Sequence, residues 1–137
     1  MQQTQFDLKA SAANNWSEVK SKKYIFPIVC SSDAFNIALI HPLMQRAVLN
    51  IYDTICLDTR VASVTVFGSS TNLRCNKHSD VDLLIELKDE YKNTGTRNEV
   101  SEKIQESCMW KADIIWADRL TQGSRILENA SKGVRIV

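Results

Sequence analysis

Apolar positions change their spacing several times along the chain, and each change marks an element. Residues 1–23 show no sustained period. They are polar, with a basic cluster at Lys20, Lys22 and Lys23, and predict a surface helix or a partly ordered arm. Tyr24-Ile-Phe-Pro-Ile-Val-Cys30 is apolar but interrupted by Pro27, which predicts an edge strand or an extended packing segment. Ser31-Ser-Asp33 offers a cap for a short helix to about Ile40, and His41-Pro42 ends it. Leu43, Ala47, Val48, Ile51 and Ile55 then recur at helical spacing, with Gln45, Arg46, Asn50 and Asp53 between them. This predicts an amphipathic helix over Leu43 to Leu57, with Pro42 in its first turn.

Beyond Asp58-Thr-Arg60 the pattern turns strand-like over Val61 to Phe67. A short helical turn is expected at Ser70 to Arg74, a loop at Cys75 to Ser79 and a second strand at Val81 to Leu87. Lys88 to Thr96 reads as a surface loop. Arg97 to Met109 reads as a helix, with Val100, Ile104 and Cys108 every fourth residue. A third strand is expected at Ala112 to Trp116. Asp118 and Thr121 are candidate caps for a helix through Ile126, Leu127 and Ala130, which Gly133 stops. Val134 to Val137 reads as a short edge strand. Helix–strand–strand–helix–strand–helix around one sheet predicts an α+β (α/β layered) domain over residues 43–137, with residues 1–42 as an extension packing on the core or on a partner.

Composition narrows this only a little. Of 137 residues, 44% are hydrophobic and 24% charged, ordinary for one globular domain. The net charge of +1 implies no general pull toward nucleic acid or anionic membrane, so nucleic acid is not an expected partner. Cys30, Cys56, Cys75 and Cys108 have no zinc-ligand spacing and read as buried, reduced thiols. With neither a signal-peptide pattern nor an apolar run of membrane-spanning length, a cytoplasmic protein is expected.

The chemistry concentrates in Gly68-Ser-Ser-Thr-Asn-Leu-Arg-Cys-Asn-Lys-His-Ser-Asp80-Val-Asp82. Two carboxylates two residues apart on a strand face the same way, and holding them there is costly unless a cation or proton compensates. An isolated Asp-x-Asp is also a common way to start a strand. Asp113, in the strand-like run Ala112-Asp-Ile-Ile-Trp116, tips the reading, because a lone carboxylate is poorly placed in an apolar strand. If the second and third strands are neighbours, three carboxylates converge, a donor set suited to two Mg²⁺ ions roughly 3.5–4 Å apart. The Gly68-Ser69-Ser70 turn supplies backbone N–H groups for a phosphate.

Gly68-Ser69, ten residues, then Asp80-x-Asp82 between two strands, with a later strand acid at Asp113, resembles the nucleotidyltransferase superfamily related to DNA polymerase beta. More narrowly it is similar to the minimal nucleotidyltransferases of bacteria and archaea, including the apolar ending after Lys132-Gly133. The resemblance implies a polymerase beta-like palm with a small mixed sheet. It also implies Mg²⁺-dependent transfer of a nucleoside monophosphate, AMP by expectation, from a triphosphate to a hydroxyl. Asp80, Asp82 and Asp113 then hold the metals and carry catalysis, and Gly68, Ser69 and Ser70 meet the nucleotide. The family's arginine after Gly-Ser is absent, and Arg74 or Lys77 stands in. The acceptor implied is a tyrosine of a small helical HEPN-type toxin partner, in an antitoxin role. Alternatives are a small antibiotic-like hydroxyl compound, a homodimer completing the site, or a non-catalytic binding module.

Overall fold

The computed structural model describes residues 24–121 and 124–137. The expectations for residues 1–23 lie outside the described residues. Helix α1 spans Pro42–Ile55, β1 Val61–Phe67, β2 Val81–Leu87, α2 Thr94–Ser107, β3 Ala112–Trp116, α3 Arg125–Ser131 and β4 Val134–Arg135. The strands form one mixed sheet in the order β3-β2-β1-β4. β1 runs antiparallel to β2 and to β4, whereas β2 and β3 are parallel. A parallel pair needs a crossover, and α2 provides it. The α+β palm-like layering expected from the sequence is therefore present.

The sheet has one core face. Val64 and Val66 of β1, and Val81, Leu83, Ile85 and Leu87 of β2, alternate inward and join one cluster. That cluster includes Met44, Val48, Ile51 and Ile55 of α1 and Val100 and Ile104 of α2. α1 and α2 pack against each other on this face. The residues between, Thr65, Asp82, Leu84 and Asp113, belong to the opposite face by register.

Several boundaries differ from the sequence expectation. Tyr24 to Cys30 forms no strand and bends at Val29 and Cys30. Its backbone is satisfied by the Gln45 side chain, which was expected on the polar side of α1 and is instead fully buried. Gln45 Oε1 accepts from Val29 N–H (2.8 Å) and Cys30 N–H (3.1 Å), and Nε2 donates to Pro27 O (2.9 Å) and Ile40 O (3.0 Å). The helix expected up to Ile40 shrinks to one 3-10 turn, Ile37–Leu39, capped by Asn36. α2 begins before Arg97 because the Asn93 side chain accepts from Thr96 N–H (2.8 Å). Ser124, and neither Asp118 nor Thr121, caps α3. Asp118 is taken by an ion pair with Arg97 at 3.1 Å.

At the far end of the sheet, Asp58 accepts from Arg60 (2.9 Å) and Lys103 (2.8 Å), tying the turn before β1 to α2. The Arg60 guanidinium holds the Asp58 carboxyl well below the usual carboxylate range, ahead of the opposing effect of burial. All four cysteines are free; Cys75 and Cys108 are buried and Cys30 and Cys56 only half-buried. No helix among the described residues is long and apolar enough to cross a membrane.

Gln45→Leu leaves two backbone N–H and two carbonyl groups without their partner at the α1 interface. Each unsatisfied buried group costs about 1–3 kcal/mol, and water reaches some of them, so a loss of about 3 kcal/mol is expected in urea denaturation. Arg46→Ala, one residue further on the exposed side, is expected to stay within about 0.5 kcal/mol of the parent.

Candidate active site

The strand register assembles the site. Phe67, the last residue of β1, lies opposite Asp82 of β2, and Asp82 lies beside Asp113 of β3. The two acids are thus lateral neighbours at the N-terminal ends of two parallel strands, about 4.8 Å apart from backbone to backbone. Asp82 is half-buried; Asp80 and Asp113 are exposed.

Gly68 follows Phe67 and sits against the Asp82 carboxylate. Its φ of 74° lies in the left-handed region, and a Cβ there would overlap Asp82 Oδ2 and stand 3.2 Å from Asp82 Cγ. Only glycine allows both the turn and the close approach. The helical turn expected over Ser70–Arg74 is a 3-10 turn at Gly68–Thr71, two residues earlier. Thr71 Oγ1 (2.8 Å) and Asn72 Nδ2 (3.1 Å) both donate to Gly68 O and hold that start.

Ser69 is half-buried in this turn. Ser70, also expected among the nucleotide-binding residues, is fully buried, and its side chain and carbonyl brace the loop. Its hydroxyl donates to Asp80 O (3.4 Å), and its carbonyl accepts from His41 N–H (2.7 Å) at the start of α1. The loop to β2 is pinned by two asparagines that the sequence reading passed over. Asn72 Oδ1 accepts from Arg74 N–H and Asn76 Oδ1 from His78 N–H, both at 2.8 Å. Asn followed two residues on by a chain reversal is a legible signal for such turns. Arg74, Lys77 and His78 are exposed on this loop.

The charge of the site is concentrated on Asp82. Burial, then the neighbouring Asp113 charge, then Asp80, push its carboxyl up to about 6. Asp80 therefore acts on Asp82 through its charge, whereas Asp113 adjoins it in the sheet. Among the described residues, no group of three His, Cys, Asp or Glu side chains is already drawn together at metal-ligand spacing. The fit to a divalent cation rests on the donor chemistry: hard carboxylate oxygens in lateral register, crowded enough to raise a proton affinity that a cation would compete for.

A family model described as "Poly(A) RNA polymerase, mitochondrial-like, central palm domain" matches residues 41–130, more than half of the chain. The matched span contains α1, β1, the Gly68 turn, β2, α2 and β3, and with them Asp80, Asp82 and Asp113. No curated protein and no solved structure gives a significant match.

Two outcomes follow from the crowding. The folded protein keeps the Asp82 proton up to about pH 6, the unfolded chain only to about pH 4. Ionisation therefore disfavours the folded state increasingly between these values and by a constant amount above them. In metal-free buffer Asp82→Asn is expected to exceed the parent in stability by about 1–3 kcal/mol at pH 8, a gap that closes near pH 4. Thermal melts of both proteins across that range measure it, and an equal gap at both ends would refute the crowding. Gly68→Ala is expected to lose about 2 kcal/mol or more through left-handed strain and overlap with Asp82; chemical denaturation reads it.

Proposed function

The chain belongs to the poly(A) RNA polymerase, mitochondrial-like, central palm domain family, a polymerase beta-like nucleotidyltransferase palm, and on that premise we propose that it transfers AMP from ATP to a terminal hydroxyl of a polynucleotide. The observation that carries the transferase reading is the lateral pair Asp82–Asp113 beneath Gly68. The family's description, an RNA polymerase, favours a nucleic-acid acceptor over the protein acceptor expected from the sequence.

Asp82 and Asp113, with Asp80, are the residues to hold Mg²⁺, which when bound supplies positive charge against the triphosphate and the acceptor oxygen. The Gly68–Ser69 turn orients the triphosphate through backbone N–H groups and the Ser69 hydroxyl. Arg74 and Lys77, exposed on the next loop, are the cations available to the phosphates in place of the missing arginine. The acceptor hydroxyl oxygen attacks the α-phosphorus, the bond to the bridging oxygen breaks, and pyrophosphate leaves. Asp113, the more exposed of the adjoining pair, takes the hydroxyl proton. Such a transfer depends on positioning and charge neutralisation more than on covalent help.

A protein tyrosine on a HEPN-type helical partner is the second reading. It is favoured by a run of exposed apolar side chains along the segment before α1 and at its first turn, Ile25, Ile28, Val29 and Leu43.

Incubation with Mg²⁺, labelled ATP and an oligo(A) bearing a free 3′-hydroxyl tests the proposal. Label transfer is expected, and it should be lost with a 3′-blocked oligonucleotide. Asp82→Asn and Asp113→Asn are each expected to lower it by about a hundredfold or more while circular dichroism stays unchanged. Label appearing only on a co-expressed helical partner would select the second reading. Absence of transfer to any acceptor, together with absence of ATP binding, would leave a non-catalytic module.

A further inference from the structure

The turn between α2 and β3 holds two large apolar residues in an unfavourable backbone. Met109 (φ 56°) and Trp110 (φ 66°) are both left-handed, and both are exposed, at 86% and 69%. One left-handed residue after a helix is an ordinary way to end it, and glycine usually takes that place. Two in succession, neither of them glycine, add strain that burial does not offset here.

The turn is nevertheless held in one shape. Trp110 N–H donates to Gln105 O (2.8 Å), and Lys111 N–H donates to Cys108 O (3.3 Å). The Gln105 side chain clasps the next residue on both sides, donating to Ala112 O (2.7 Å) and accepting from Ala112 N–H (3.2 Å). An exposed aromatic on a fixed, strained turn has the marks of a contact surface.

Its place in the fold says what it contacts. Lys111 O accepts from Val81 N–H (2.8 Å), and Lys111 Nζ donates to Lys77 O (3.0 Å). Trp110 therefore stands at the same end of the sheet as Asp80, Asp82 and Asp113, beside the loop that carries Lys77 and Arg74. In the order β3-β2-β1-β4 it lies on the β3 edge, whereas Gly68 and Ser69 follow β1. Two strand spacings, about 10 Å, separate the phosphate turn from this edge. The Gly68 turn and Trp110 thus flank Asp82 from opposite sides in the strand order, which leaves the Trp110 side open to a second substrate.

We propose that Trp110 is a stacking platform for a nucleobase of the single-stranded acceptor, with Met109 lining its edge and Lys111 meeting an adjoining phosphate. This rests on the polynucleotide reading above and adds to it the residue that grips the strand.

Three variants test it: Trp110→Ala, Trp110→Phe and Trp110→Gly. Binding of fluorescently labelled oligo(A) is followed by anisotropy in metal-free buffer, and transfer kinetics are measured with Mg²⁺. Trp110→Ala is expected to weaken oligo(A) binding and raise its KM by about tenfold or more. KM for ATP and kcat should stay near the parent's, and Trp110→Phe should recover most of the affinity. Trp110→Gly is expected to melt higher than the parent, because it relieves the left-handed strain, yet to bind oligo(A) as poorly as the alanine variant. A merely structural tryptophan would give the reverse.

Unchanged oligo(A) affinity in an active Trp110→Ala protein would overturn the stacking role and leave the transferase reading standing. A rise in KM for ATP alone, or loss only of a protein partner, would overturn it as well. A parent protein that neither binds nor extends oligo(A) would overturn both.

Discussion

Two carboxylates side by side, with a backbone pressed against one of them, set the terms for the rest of this molecule. Asp82 and Asp113 adjoin because β2 and β3 are parallel and in register, and Gly68 fits against Asp82 only because it lacks a Cβ. Unbalanced negative charge in a half-buried position opposes folding, so the surrounding structure must be stable enough to impose it. That stability comes from the other face of the same strands, where valines, leucines and isoleucines join α1 and α2 in one core. The alternation of a strand lets one segment serve both purposes: Val81 and Leu83 bury, and Asp82 between them stays at the site.

The segment before the palm belongs to the same construction. Phe26 is buried against His41, with ring centroids 5.2 Å apart, and burial holds the His41 imidazole below its ordinary value. His41 Nδ1 accepts from Leu43 N–H to cap α1, while its backbone N–H donates to Ser70 O. Ser70 in turn reaches Asp80 O. A chain of contacts thus runs from residue 26 to the loop between β1 and β2, with Gln45 fixing residues 27–30 alongside. These residues brace the site, and their apolar outer surface is what supports the second reading of the acceptor.

Much of this was legible in the chain because it depends on short-range regularities. The helical period fixed α1 to within two residues, and the β-branched runs gave β1, β2 and β3. Asp113 stood out because a strand of Ile, Ile and Trp has no local use for a carboxylate. Boundaries set by single caps were less legible. Asn36, Asn93 and Ser124 won their positions over nearby alternatives, and competition among caps is decided by which side chain is free. Asp118 was not free, since Arg97 had claimed it.

Residue identity and spacing by themselves determined the chemistry on offer: a glycine-serine turn, three acids and a layered α+β framework, all encoded within contiguous stretches. Only the tertiary structure decided which of these groups meet. It made Asp82 and Asp113 the adjoining pair and left Asp80 to act through its charge. Ser70 turned inward, Gln45 was buried as a four-bond clasp, and Trp110 was set on a strained exposed turn at the site's edge. The physical reason is that local periodicity and propensity act over a few residues. Register between distant strands, burial of a polar side chain and the shape of a connecting turn are settled by partners 15 to 40 residues away, and those partners exist only once the sheet has formed.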